Sequence, residues 1–361
     1  MNSKFKKNGG EEIQSLIDRA KADGTSRVVI TGAWEIEREI RIPSDFHVIL
    51  DNAHLRLADG VFCNVFINEH CRTEIGHTLA GRDRNITVEG RGNAVIDGGN
   101  HNGLLERTSE KDGMPHISYN NLLLFTNVDG FKVDGIRFIN QRWWALDFIY
   151  CANGRISNID FLANYSVRNE NTGEIIPFSS INDITGGSNN IVCVPNADGI
   201  DLRAGCHNII IENITGYTED DTVALTNLPG DIEELYKVEG LSTDLHDVII
   251  RNVNSSALCS NVRLLNQGGT KLYNILIDGV FDSSMNSPYM DRGYCGVRVG
   301  DRMMYNVTHS TTEETYNIRI TNVYSRALTV LRLIGGMKNV TYDNINGFDG
   351  YQYLTDIQIL E

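Results

Sequence analysis

The sequence predicts an all-β chain wound as a parallel β-solenoid, with a short helix capping its N-terminal end. Three observations predict it. First, two acid-led strands, Asp198-Gly-Ile-Asp-Leu202 and Asp221-Thr-Val-Ala-Leu225, share one pattern of acid, any residue, apolar, any residue, apolar, and their leading acids are 23 residues apart. Second, five segments repeat another shape, Asn or Asp, alternating apolar residues, then Asn or Asp again: Asn208–Asn213, Asp247–Asn252, Asn274–Asp278, Asn317–Asn322 and Asn339–Asn344. Third, 34 Gly against 6 Pro suit a chain of many tight turns. Strand, turn, strand, turn, then the first strand again one layer higher is the repeat of a solenoid. Layers about 4.8 Å apart would make the acids of successive coils stacked neighbours.

Taken in order, Glu11–Ala22 places Ile13, Leu16, Ile17 and Ala20 at helical spacing, with Gly24 as a stop. A helix there, within an N-terminal cap over 1–26, would cover the strand edges and apolar side chains of the first coil. Short alternating strands follow through Arg27–Leu57, Phe62–Ile67, Asn85–Glu89 and Ala94–Ile96. Periodicity lapses over 100–120, 164–190 and 228–245, three polar stretches expected to project as loops beside a cleft. Between them the coils resume, at Leu122–Phe125, Ile136–Ile139, Ala145–Ile149 and the acid-led pair. No linker divides the chain. A solenoid adds layers to a single core, so 1–361 is expected to form one domain.

A hydrophobic fraction of 41% supplies the core, and a net charge of −15 argues against nucleic acid or an anionic membrane as partner. No run is long enough to span a membrane. Seven Cys, an odd number without tight spacing, do not read as a disulfide framework, and buried small hydrophobes are the expected role. The N-terminal MNSKFKKNGG lacks the apolar core of a secretory leader, so a cytoplasmic location is expected. No metal-ligand or cofactor motif is present, and none is expected. The sequence carries no signal of oligomeric state.

Alternate side chains of a strand face opposite sides. Ile200 and Leu202, Val223 and Leu225, Val262 and Leu264, and Val297 and Val299 should therefore face the core. The outer stripe then reads Asp147, Asp201 with Arg203, Thr222, Arg263, Arg298: acids first, arginines later. Parity alone would bury Asp198 and Asp221, but each sits just before its strand, where a bend would aim it outward; an unpaired buried carboxylate would be costly. Stacked Asn at a corner is expected to bond backbone and neighbouring coils, which makes Asn213-Ile-Thr and Asn339-Val-Thr ladder positions.

Asn196-Ala-Asp-Gly-Ile-Asp201, then Asp220-Asp221 one coil later, resembles glycoside hydrolase family 28, the polygalacturonase-like enzymes, whose motifs read Asn-Thr-Asp-Gly-hydrophobic-Asp and Asp-Asp. The family's third motif, Gly-His-Gly, is replaced by Cys259-Ser260-Asn261. Its fourth, Arg-Ile-Lys, becomes Arg298-Val-Gly300 and loses the lysine. The resemblance implies a right-handed, single-chain parallel β-helix of the pectin-lyase-like kind and an inverting hydrolysis of a carbohydrate. It implies Asp220 as general acid and Asp198 with Asp221 as the groups that activate water. Asn196, Asp201, Arg298, Arg263, Asp147 and Trp144 are the candidate substrate contacts. Inversion needs an acid and a base on opposite faces of the sugar, roughly 6.5–9.5 Å apart. Two other readings stay open. The three acids could instead hold Ca²⁺ in a lyase or epimerase, with an arginine as base, or the chain could bind carbohydrate without turnover.

Overall fold

The computed structural model describes residues 5–99, 117–141, 143–163, 166–169, 175–177, 191–193, 197–288, 290, 292–300, 309–348 and 355–360. Alternating apolar residues fold into short strands that pair in parallel from coil to coil, as the repeat predicts. Ten of these strands form one sheet, from Ile40–Ile42 through Ile200–Leu202, Val223–Asn227, Ser260–Asn266 and Cys295–Gly300 to Thr355–Leu360. Twelve strands form the second, including His207–Thr218, Leu245–Ala257, Leu272–Asp282 and Thr315–Ser325. The inward parity holds. Ile200, Leu202, Val223, Leu225, Val262, Leu264, Val297 and Val299 all lie in one continuous core.

The strands of the second sheet are long because they bend without breaking. Asn208, Asn213, Asn252, Asn274, Asn317, Asn322, Asn339 and Asn344 all have φ between 50° and 60°, as does Asp247. This left-handed region is one that Asn and Asp tolerate better than other side chains. Two asparagine ladders result, where the sequence suggested one corner. Asn274 donates to Asp247 at 2.9 Å, Asn317 to Asn274 at 3.1 Å and Asn339 to Asn317 at 3.1 Å. The second ladder runs from Asn213 on Asn158 at 3.1 Å to Asn252 on Asn213 at 3.2 Å, and resumes with Asn344 on Asn322 at 2.6 Å.

The capping helix covers Gly9–Ala22 and buries Ile13 and Ile17 on the first coil. Its start is fixed by contact: a Cβ on Gly10 would lie 2.5 Å from the Arg38 carbonyl. The Glu37 carboxylate accepts the Gly10 and Glu11 N–H groups, satisfying donors that a helix start leaves open. The polar stretches are more structured than expected. Within 164–190 and just beyond, Ser166–Asn169 pairs antiparallel with Ile175–Pro177 and Ile191–Cys193. Within 228–245, Asp231–Leu235 forms a helical turn. Most of 100–120 lies outside the described residues. Cys63, Cys71, Cys151, Cys206 and Cys295 are buried as small apolar groups, whereas Cys259 is half-buried.

Candidate active site

Backbone register on the outer face of the ten-stranded sheet sets the site. Asp147 pairs with Asp201, Asp201 with Ala224, Ala224 with Arg263, Arg263 with Arg298, and Arg298 with Arg332. Acids occupy the earlier coils and arginines the later ones, with a single methyl group, Ala224, between them. Thr222 is not part of this stripe, which corrects the parity argument. Its hydroxyl is buried against Thr218 Oγ1 at 3.0 Å and Ser255 Oγ at 2.9 Å, because the strand begins only at Val223. The outward position of that coil belongs to Ala224.

Asp198, Asp201, Asp220 and Asp221 line one pocket, together with Arg203, Arg263, Trp144, Thr226, Leu228 and Leu265. The bend before each strand brings them there. Gly199 donates its N–H to the Asp221 carbonyl at 2.9 Å, and Asp221 N–H donates to Asp198 Oδ1 at 3.2 Å. Gly199 has no room for a side chain, since a Cβ would stand 2.4 Å from the Thr222 carbonyl. The glycine of Asp-Gly-Ile-Asp thus allows one acid coil to seat on the next.

Desolvation dominates the electrostatics. Burial, then the neighbouring carboxylates, push Asp198 well above the ordinary carboxylate range, and Asp201 likewise. Asp221 is raised to about 7 by burial and Asp220, against the opposing pull of Arg263, a Ser260 hydrogen bond and Arg298. Asp198 and Asp201 are thus pushed further toward the protonated form than Asp221, which is poised to ionise near neutrality. A carboxylate that ionises near neutrality is suited to act as a base.

The remaining candidates divide. Arg298 lies one coil beyond Arg263 and acts on Asp221 through its charge. Trp144 lines the pocket, but one ring face is held by the Arg203 guanidinium, 4.4 Å from its centroid, and the residue is 3% exposed. Asp147 is fully buried one coil below Asp201 and does not line the pocket. Both its oxygens lack a hydrogen-bond partner, and burial raises it to about 7. Asn196 lies outside the described residues. His207 stacks on His246 at 5.0 Å and shares a hydrogen bond with the Gly205 carbonyl, a structural place at the asparagine corner.

Three participants escaped the sequence argument. Glu233 pairs with buried Arg203, with Nη2 at 2.5 Å and Nε at 2.8 Å from Oε1. It comes from the helical turn Asp231–Leu235, whose loop packs Ile232, Tyr236 and Val238 on Trp144, Ile149, Tyr150 and Ala204. No repeat marks that loop, so only its composition was visible. Cys259 and Ser260 meet the acid coil through the backbone, Cys259 N–H donating to the Asp220 carbonyl at 3.4 Å and Thr222 N–H to the Ser260 carbonyl at 2.9 Å. Their position one coil above Asp-Asp was readable, but their contact was not.

Among the described residues, one set of three ligating groups is close enough to share an ion: Glu69, His70 and Asp83. Asp83 there is already held by Ser44, Asn68 and His70.

Fold and site together define a right-handed parallel β-helix carrying a carboxylate cluster on the outer face of one sheet. The family model for glycosyl hydrolases family 28 matches residues 37–240, more than half of the chain. The protein therefore belongs to glycosyl hydrolase family 28. Among solved structures, the fold is similar to a hyperthermoactive exopolygalacturonase from Thermotoga maritima (16% identity, 92% of this chain and 82% of that one, TM-score 0.54). It is also similar to a 1,3-α-1,4-β-D-galactose-4-sulfate-3,6-anhydro-D-galactose-2-sulfate 4-galactohydrolase (10% identity, 98% and 88%, TM-score 0.58). A third is the tailspike of E. coli bacteriophage HK620, solved with a hexasaccharide (12% identity, 97% and 60%, TM-score 0.52). At these identities the likeness is one of fold. No curated protein matches the chain by sequence.

Proposed function

We propose that the protein is an inverting glycoside hydrolase acting on an oligosaccharide that carries an anionic group. The observation that carries this reading is the convergence of Asp198, Asp201, Asp220 and Asp221 on one pocket beside Arg263. Asp220 protonates the leaving glycosidic oxygen. Asp221, the most easily ionised of the shifted pocket acids, takes a proton from a water that Asp198 helps to hold, and that water attacks the anomeric carbon from the opposite face. Arg263 and Arg298 stand on the far side of Ala224, where they would meet a carboxylate or sulfate on the sugar. Gly300 in place of a lysine leaves that side one cation poorer than the family pattern.

The loop over 228–245 supports action at chain ends. It buries the outer face of the sheet before the acid coils, as the packing of Ile232 and Tyr236 on Trp144 and Ile149 records.

The test is a reducing-end assay on uronic, sulfated and neutral oligosaccharides, with proton NMR of the first-formed anomer. Hydrolysis with inversion of an anionic substrate supports the reading. An unsaturated, ultraviolet-absorbing product, lost on chelation, would establish the lyase instead. Binding of glycans with no cleavage by any preparation would leave a binding protein.

A further inference from the structure

The bend that turns Asp198 into the pocket is held from both neighbouring coils. From the coil before, Ala145 N–H donates to the Asp198 carbonyl at 3.0 Å. Toward the coil after, Gly199 N–H donates to the Asp221 carbonyl at 2.9 Å and Ile200 N–H to the Thr222 carbonyl at 3.0 Å. A parallel ladder continued two residues back from Gly199 would bring Ala197 N–H to the Glu219 carbonyl. The paired strands begin only at Ile200 and Val223, however, and Ala197 N–H donates instead to the Glu219 side chain, 3.0 Å from Oε2. Ala197 is fully buried and Glu219 is 5% exposed, so this donor has no solvent to turn to. The turn that carries Glu219 is itself fixed. Buried Thr218 donates from Oγ1 to the Asp220 carbonyl at 3.3 Å and meets Thr222 Oγ1 at 3.0 Å.

We propose that Glu219 is a positioning residue, whose carboxylate replaces the missing ladder carbonyl, fixes the backbone just before Asp198, and so sets where Asp198 holds the attacking water. The inference rests on the hydrolase reading of the acid cluster. Its physical content is reach. Asp198 Oδ1 accepts the Asp221 N–H at 3.2 Å, which anchors the side chain at its outer end. The Glu219 bond anchors the backbone from which that side chain springs. Held at both ends, the carboxylate keeps one orientation in the pocket it lines. Groups that act on a water must stay within about 0.5 Å of their productive place, and neighbours that are themselves fixed keep them there. Both anchors come from the one turn, Thr218–Thr222, that also carries Asp220 and Asp221. The acids on the two coils are therefore set relative to one another by a single short stretch of chain.

The experiment separates reach from charge and adds a measurement that needs no turnover. Glu219→Ala is expected to lower kcat between about tenfold and a hundredfold, the scale that a misplacement of about 1 Å costs. KM should stay within about twofold, since the water and not the sugar is displaced. Glu219→Gln keeps an oxygen acceptor at the same reach without the charge, and is expected to recover most of that loss. Glu219→Asp keeps the charge but falls short by one methylene, and is expected to behave like the alanine variant. These two changes are small enough that a folding failure of the alanine variant leaves the test intact. Independently, hydrogen exchange of the Ala197 amide, read by NMR on isotope-labelled protein, is expected to run several-fold faster in the Ala and Asp variants. In the Gln variant it should stay near wild type. A kcat that follows charge, with Asp near wild type and Gln low, overturns the proposal, and so does an Ala197 exchange rate indifferent to all three changes. If the wild type cleaves no glycan, the hydrolase reading fails by itself, and the exchange comparison still decides whether Glu219 holds the bend.

Discussion

Two kinds of polar ladder climb this solenoid, and they differ in whether their rungs satisfy one another. On the twelve-stranded sheet the rungs are mostly asparagines. Each amide donates to the residue one coil below, as Asn317 does to Asn274 at 3.1 Å, and each backbone sits at the positive φ that asparagine tolerates. On the ten-stranded sheet the rungs are Asp147, Asp201, Ala224, Arg263, Arg298 and Arg332. Like charges sit next to like, and carboxylates cannot donate to one another when ionised. The first ladder is self-sufficient and holds the fold. The second stores unfavourable desolvation and repulsion, visible in the raised Asp147 and Asp201, which is the usual mark of a site that uses charge.

The sharpest way to break the comparison is to remove one charge from the second ladder's pocket. Asp220→Asn keeps shape and hydrogen-bonding reach but cannot deliver a proton. We expect kcat to fall by about 10³-fold, within the range for general acid–base groups, with glycan affinity retained; steady-state kinetics and calorimetric titration check this. The matching change in the asparagine ladder should leave kcat untouched.

A second test asks what happens where the acid stripe has been turned into structure. Arg203 is buried, yet it serves packing rather than chemistry because the loop supplies Glu233. Glu233→Gln leaves a buried guanidinium with weaker compensation, and breaking such pairs costs about 3–5 kcal/mol. Asp147 and Asp201, both already near Arg203, can recover part of this, so a loss of about 3 kcal/mol is expected. Urea midpoints at pH 7 measure it. An unchanged midpoint would mean the loop is not fastened by this pair.

Much of this was legible in the sequence because a solenoid writes its layers as repeats. Alternation located Ile200, Leu202, Val262 and Val297 inside, and all are core residues. The offset between Asp198 and Asp221 placed two coils in contact, and their backbones are bonded, Gly199 N–H to the Asp221 carbonyl. Parity failed at Thr222, where a corner and not a strand sets direction. Trp144 was legible as an aromatic beside the acids but not as the ring under Arg203, since that contact depends on Glu233, 89 residues away in a loop without period. Non-repeating insertions pack by particular side chains, and a pattern search has nothing to count there.

A third test uses pH. Asp147 is raised to about 7 from an ordinary 3.8, so the folded state binds a proton that the unfolded state releases above pH 4. Stability from this group is therefore fully present below about pH 4 and declines as pH rises to about 7. Asp147→Asn is near in shape and does not titrate. Thermal melts from pH 4 to 8 should show wild type losing stability over that window more steeply than the variant, with the variant ahead at pH 8. Parallel curves would show that Asp147 finds a partner on folding.

The smallest effect belongs to the self-sufficient ladder, and it tests whether that ladder is as dispensable to chemistry as its bonding implies. Asn213 has φ 57°, donates to Asn158 and accepts from Asn252. Asn213→Ala loses both exposed bonds and places a residue less tolerant of positive φ at the bend. Left-handed backbone costs roughly 1–2 kcal/mol for ordinary side chains, and the lost bonds add little because water replaces them. Asn213→Gly loses the same bonds but keeps the backbone freedom. We expect the alanine variant to be about 1 kcal/mol less stable than the glycine variant by urea denaturation, with kcat equal in both. Equal stabilities would assign the ladder's value to its side-chain bonds; a fall in kcat would mean that strain at the corner is transmitted to the acid coils, and the two ladders would no longer be separable.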